Sequence, residues 1–501
     1  MTDERAAATD GGRVERLETP VPRGSTVTAA RLMEVHRLAV AGREPTIARD
    51  VGHRVARAWL PRSRFADVAA LATATLTLGP DADAYYDLGW AQTFVGEARQ
   101  ALASSKHALD LYRAAGDQHN EAATLNSIGT AYGRLGEPQQ SLSHFQQALV
   151  ILREIDDRFS QAAALNNIGH AYKDLGDREQ ALAWYEQSLS VTREVRDRAG
   201  EGTTLVNIGT VYDSLGDHRQ ALDHFEQAVA IMAEVGDRGG AAATLNNIGH
   251  AYHRLGDQPR ALAYFQQALP MQREIGDRAN EAAALGNIGL AHHALGDQEQ
   301  ALAYFQQALS IHREIGDRAG EANSLNNIGG AYMALGDQKQ GLLHLRQALV
   351  GRRKVGDRVG EASTLVNIGA AYFALGKQQL ALESLQRALP LQRKIGDRAG
   401  EAQNLDNIGC LYHMLGNRKQ ALIHLQRALA GRREVGDRFG ESQTLRNISV
   451  VQAARGNLDQ AISDLELVVD LHRQLGHPDL ASDLTALRQL RQERAEKRGE
   501  V

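Results

Sequence analysis

Apolar residues return along this chain in an order that repeats every 40 residues without slippage. The stretch 157–196 shows the order. Leu165, Ile168, Gly169, Tyr172 and Leu175 fall at the spacing of one helical face, and Ala181, Leu182, Tyr185 and Leu189 form a second stripe. Gly176 stands between the stripes, where a helix ends on a left-handed residue. Asp157 and Asp177 precede the stripes as N-caps. The pattern therefore predicts two helices per unit, joined tightly. Gly169 and Ala181 are small at facing positions and predict a close approach of the two helices. No segment reads as a strand. One such hairpin cannot bury its apolar face alone, so neighbouring units must stack.

The shared pattern L-x-N-I-G-x-A-Y-x-x-L-G-D…A-L-x-x-F-x-x-A-L resembles the tetratricopeptide repeat, a helix–turn–helix unit of roughly 34 residues. The 40-residue version with a GDRAGEA joint is similar to the arrays of kinesin light chains, of Pins-type spindle-orientation adaptors, of many bacterial tetratricopeptide proteins and of the tails of signalling ATPases. The resemblance implies an all-α fold, an α-α superhelix in which about ten helical hairpins form a solenoid with degenerate helical caps. The expected organisation is a disordered polar tail over 1–26, a degenerate helical cap over 27–80, ten repeats over 81–476, and a capping helix and tail over 477–501. Units at the ends depart from the pattern: Asp87 and Trp90 at one end, Ser449 and Gln452 at the other. Terminal units of an array must close its core against water.

Composition narrows the range of functions. The 48 glycines accompany only 10 prolines, which is not a loose linker composition. The single cysteine, Cys410, excludes an intramolecular disulfide framework and fits a reducing, cytoplasmic setting. A net charge of −5 is too balanced for a chain that coats nucleic acid. No apolar run of about 18 residues is present, so no membrane span is expected. No Walker A, GxSxG, HExxH or CxxC motif occurs, so no enzyme, cofactor or metal is expected.

Charge is unevenly spread. Residues 141–340 hold 16 cationic and 26 acidic side chains, whereas 341–440 hold 16 and 8. The second-helix aromatics, Phe145 to Phe305, give way to Leu345, Leu385, Leu425 and Leu465 at the same place, which divides the array near 340. The clusters Arg352-Arg353-Lys354, Arg393-Lys394 and Arg432-Arg433 either favour the helix dipole or face an acidic partner.

The strongest binding feature is a column of asparagines, Asn167, Asn207, Asn247, Asn287, Asn327, Asn367, Asn407 and Asn447, one per first helix. A carboxamide offers both donor and acceptor to a peptide group. The resemblance implies that first helices line a concave groove where such asparagines hold an extended peptide; the alternative is that they bond a neighbouring helix. Specificity then falls to variable columns on the same face. These include His250, His253 and His293, whose spacing permits shared metal ligation but reads better as solvated groove histidines. They also include Met333, Phe373 and Met414, an apolar anchor unless these side chains fold onto neighbouring helices. The expected function is a scaffold or adaptor that binds an extended peptide or partner protein. The alternative is a regulatory or sensor subunit for a separately encoded effector. Self-association is a further expectation, because near-identical units offer near-identical surfaces.

Overall fold

The computed structural model describes residues 29–60 and 64–498, and the expected tail over 1–26 lies outside them. Among the described residues all regular structure is helical, and no strand occurs. Helices Ala29–Ala41, Pro45–Trp59 and Phe65–Leu76 come first. Twenty helices from Ala82 to Leu475 follow as ten hairpins, and Leu480–Arg498 is the last helix among the described residues. The chain packs as two compact units that divide after Met271.

The local signals act as the sequence predicts. In the hairpin of Arg158–Asp174 and Arg178–Glu194, the Asp157 carboxylate accepts from the Ser160 amide at 3.0 Å and Asp177 accepts from the Gln180 amide at 3.1 Å. Each bond satisfies an amide that a helix start leaves without an intrahelical partner. Gly176 takes φ +83°, a conformation that L side chains resist. The joints between units use the same device, but Asp156 and Arg196 hold φ values of 53° and 59° where other joints have glycine.

Close approach within a hairpin has two parts. The first-helix glycine lies against the backbone of the small second-helix column, a Cβ on Gly409 coming within 3.2 Å of the Ala421 carbonyl oxygen, and it also faces a large second-helix side chain. A Cβ on Gly169 would lie 2.7 Å from the Tyr185 ring, and one on Gly249 would lie 2.5 Å from the Phe265 ring. From Gly329 onward leucine fills the same space, Leu345 Cγ being 2.7 Å from such a Cβ. The glycine is thus the socket for that second-helix side chain. Around these sockets the core is continuous between neighbouring hairpins. Leu125, Ile128, Phe145, Leu165 and Ile168 cluster in the first unit, and Leu365, Ile368, Leu385, Ile408 and Leu411 in the second. Each such aliphatic side chain contributes roughly 1.5–3 kcal/mol on burial.

The ends are closed by polar ties over apolar packing. Val51, Val55, Trp59, Val68 and Leu71 pack together with Ala91 of the first hairpin. Buried His36 hydrogen-bonds Thr75 at 2.8 Å. At the other end His472 lies between the Asp483 carboxylate at 2.7 Å and the Ser442 hydroxyl at 2.9 Å, which ties the last helix to the last hairpin.

Candidate functional site

All eight column asparagines are half-buried on their first helices. Their environments differ: three of them bond the residue just before the asparagine in the preceding hairpin, whereas Asn126 and Asn246, at that place before Asn167 and Asn287, accept no such bond at Oδ1. Asn207 donates to Asn166 Oδ1 at 2.9 Å, Asn367 to Asn326 Oδ1 at 3.2 Å, and Asn447 to Asp406 Oδ2 at 2.9 Å. These three therefore bridge stacked hairpins, as the alternative reading of the column holds. At Asn247, Asn327 and Asn407 the corresponding residues are Val206, Gly286 and Val366, which carry no side-chain acceptor. The second unit thus alternates: Asn327 and Asn407 face positions without an acceptor, and Asn367 and Asn447 are tied. Burial pushes the Asp406 carboxyl up, against the hydrogen bond from Asn447 that favours its charge. Burial also pushes the nearby Cys410 thiol up to about 12, with Asp406 adding to the effect, so this thiol stays protonated and inert at neutral pH.

The histidines are not bare groove side chains. His253 and His293 engage Gln258 and Gln298 at 2.6 and 2.5 Å, and each glutamine also donates back to its histidine's carbonyl. They fasten the turns of their own hairpins. His250 stands edge-on to Phe265 at 5.2 Å. Burial chiefly, then His253 and Arg254, lowers its pKa to about 4, so it is neutral at pH 7. Among the described residues no three His, Cys, Asp or Glu side chains come together as a metal site.

The apolar trio separates. Met333 packs into the core, and its Cγ occupies space that a Cβ on Gly341 would need. Phe373 and Met414 remain 49% and 54% exposed. The corresponding place beside Phe373 holds Ala381, whose methyl closes the space that Gly341 leaves for methionine.

The basic clusters are largely matched within the chain. Arg353, Arg393 and Arg433 each reach a glutamate eight residues on, Glu361, Glu401 and Glu441, at 2.6 Å. Arg352 and Arg432 are buried against Asp357 and Asp437. Sequence reading missed a second recurrent contact, an aromatic pair twelve residues apart across the turn of several hairpins. Examples are Tyr132 with His144 at 5.2 Å, Tyr252 with Tyr264 at 5.5 Å and Tyr332 with His344 at 5.3 Å. The signal was present as a second aromatic column, just before the Phe column of the second helix.

The family model of the tetratricopeptide repeat matches residues 81–154, 160–234, 228–274, 240–314, 280–354, 320–394 and 360–434. The chain belongs to the tetratricopeptide repeat family. No curated protein matches it in sequence. Among solved structures, it is similar to a signal transduction ATPase with numerous domains (STAND) protein with a tetratricopeptide repeat sensor from Pyrococcus horikoshii. The identity is 14% and the TM-score 0.53, covering 68% of this chain and 51% of that one. This tetratricopeptide array therefore spans about half the length of that protein. It is also similar to aspartyl phosphate phosphatase F from Bacillus subtilis, at 13% identity and TM-score 0.49 over 75% of this chain and 96% of that one. A third likeness is to the quorum sensor NprR from B. thuringiensis, at 14% identity and TM-score 0.48 over 67% and 97%. Among the described residues of the array no helix is long and apolar enough to cross a membrane.

Proposed function

We propose that this array is a non-catalytic binding scaffold that holds an extended segment of a partner protein along the first helices of its second unit. The observation that carries the reading is the alternation of the asparagine column. Asn327 and Asn407 face positions without a side-chain acceptor, while exposed Phe373 and Met414 belong to the same run of first helices. Carboxamides at these places suit the main chain of a ligand, which presents the same donor and acceptor pair at every residue. An exposed ring supplies the apolar anchor on which such interfaces concentrate their affinity. Asn367 and Asn447, by contrast, are occupied in holding hairpins together. The scaffold reading includes a regulatory subunit of a separate effector, since both need the same binding face.

The test is capture from native lysate by the intact chain, followed by affinity and thermal-stability measurements on Asn327→Ala, Phe373→Ala and Asn367→Ala. Loss of the captured partner with the first two, at unchanged melting temperature, supports the reading. Retention of the same partner at the same affinity by Asn327→Ala and Phe373→Ala refutes it.

A further inference from the structure

A repeat lets every surface position be judged against its counterparts. The arginine that starts each of several first helices meets a glutamate 36 residues on: Arg158 with Glu194 at 2.5 Å, Arg198 with Glu234 at 2.6 Å, Arg278 with Glu314 at 2.5 Å. Arg318 has Lys354 at that place instead. Arg318 keeps only the contact to Glu321 at 2.9 Å, shared with Arg313 also at 2.9 Å, which Arg198 and Arg278 make with Glu201 and Glu281 as well. The Arg313 hydrogen bond above all holds the Glu321 carboxyl below its usual range. Arg346 lies beside them and donates to the neutral Tyr372 hydroxyl. Ser384 stands where other hairpins place the aromatic partner of that tyrosine. Four cations, Arg313, Arg318, Arg346 and Lys354, thus line one groove with a single carboxylate, Glu321.

The same place lacks a side chain. Gly351 occupies a column that elsewhere holds Ile151, Val191, Ile231, Ile311 and Leu391. A groove of about 610 Å³ opens there, with Ala322, Leu325, Leu343 and Val350 as its apolar lining. Leu343 and Val350 are half-exposed. None of the column asparagines lines it. Elsewhere the two features do not coincide. Arg358 also has a lysine 36 residues on, Lys394, but Leu391 fills the gap. Gly431 leaves the gap, but Glu434 restores the carboxylate.

We propose that the groove bounded by Gln298–Glu314, Arg318–Ala334 and Gln338–Val355 docks an acidic amphipathic segment of a partner protein. A carboxylate of that segment takes the place between Arg318 and Lys354 that Glu314 takes beside Arg278. An aliphatic side chain lies over Gly351, where Ile311 lies in the preceding hairpin. Charge complementarity selects the partner, and the apolar lining gives the contact its area.

The experiment is fluorescence anisotropy on the full chain with a fluorescein-labelled peptide of glutamate and leucine, set against a glutamate-only peptide of equal length. The mixed peptide should bind, more weakly as salt rises. Lys354→Glu and Gly351→Ile should each weaken it about tenfold or more. Both install the residue of the preceding hairpin, so the fold has a precedent for each, and circular dichroism checks it. Asn327→Ala should leave this binding unchanged, which separates the fate of this site from that of the asparagine face. Equal binding by both groove variants, or equal binding of the glutamate-only peptide, overturns the proposal. Sedimentation without peptide completes the test: self-association abolished by Lys354→Glu would make a second copy the occupant and would also overturn it.

Discussion

The buried guanidinium of Arg352 makes a sharp test of what holds adjacent hairpins together. Arg352 is 8% exposed; its Nη1 lies 2.8 Å from Asp357 Oδ2 and its Nη2 donates to Asn323 Oδ1 at 2.9 Å. Asp357 also caps the next helix, accepting from the Gly360 amide at 2.8 Å. Asp357→Ala removes the cap, about 1 kcal/mol, and strands a buried cation, for which breaking such a pair costs about 3–5 kcal/mol. The Asp357 side chain is 35% exposed, so water screens the pair and the lower end applies. The expected total is about 3–4 kcal/mol. Arg352→Leu removes the charge and the need for its partner together. The guanidinium fills the space over Gly360, so leucine leaves a small void and costs about 1–2 kcal/mol. Adding Gly360→Ser recreates the pairing of buried Leu152 with Ser160 and should recover most of that. Urea unfolding gives the magnitudes. Hydrogen exchange should confine the loss to Gln338–Val355 and Arg358–Ala374, since contacts in a repeat array are nearest-neighbour. If Arg352→Leu destabilises as much as Asp357→Ala, the ion pair is a net source of stability and the reasoning fails.

Arg196→Gly should stabilise the chain by about 1 kcal/mol, because it relieves an L residue in the left-handed region; an unchanged or lower urea midpoint counts against that. Asn367→Ala should lower stability by about 1 kcal/mol through its lost bond to Asn326, whereas Asn327→Ala should stay within about 0.5 kcal/mol of the parent; equal melting shifts would contradict the alternation. His250 has a folded pKa of about 4 against an ordinary 6.5, so the unfolded chain binds the extra proton first. Its contribution is whole above pH 6.5 and declines as pH falls towards 4, and His250→Thr, the residue at Thr210, should flatten that limb of the stability–pH curve. A curve that keeps its slope in the variant would rule His250 out as the source.

The architecture was legible because its signals are local. A capping aspartate, a left-handed glycine and two apolar stripes lie within one unit, and each acts on its own neighbours. The role of an asparagine was not legible from its column, because it depends on the neighbouring hairpin, where Asn367 and Asn447 find an acceptor 41 positions earlier and Asn327 and Asn407 do not. Asn367 and Asn327 are identical in type and register, and only Asn326 against Gly286 separates them. The same holds for the anchor. Met333 and Phe373 share a column, but the missing methyl at Gly341 admits one into the core while Ala381 keeps the other outside. The basic clusters looked like surface charge because their glutamate partners belong to the next helix. Histidines 253 and 293 looked solvated because the glutamines that bind them lie across a turn.

The alternation also governs how such a chain can change length. Removing one hairpin, residues 321–360, would set Asn367 against Gly286 and leave its carboxamide without the acceptor it now uses. Removing two, residues 321–400, would set Asn407 against Gly286, a neighbour as silent as its present Val366, and would leave the bond from Asn447 to Asp406 untouched. Removing residues 361–400 instead would set Asn407 against Asn326, an acceptor that Asn367 now uses, and would also spare the bond from Asn447 to Asp406. Insertion and deletion are thus graded by which acceptor they take away, and the boundary of the cut matters more than the 40-residue period visible in the helices.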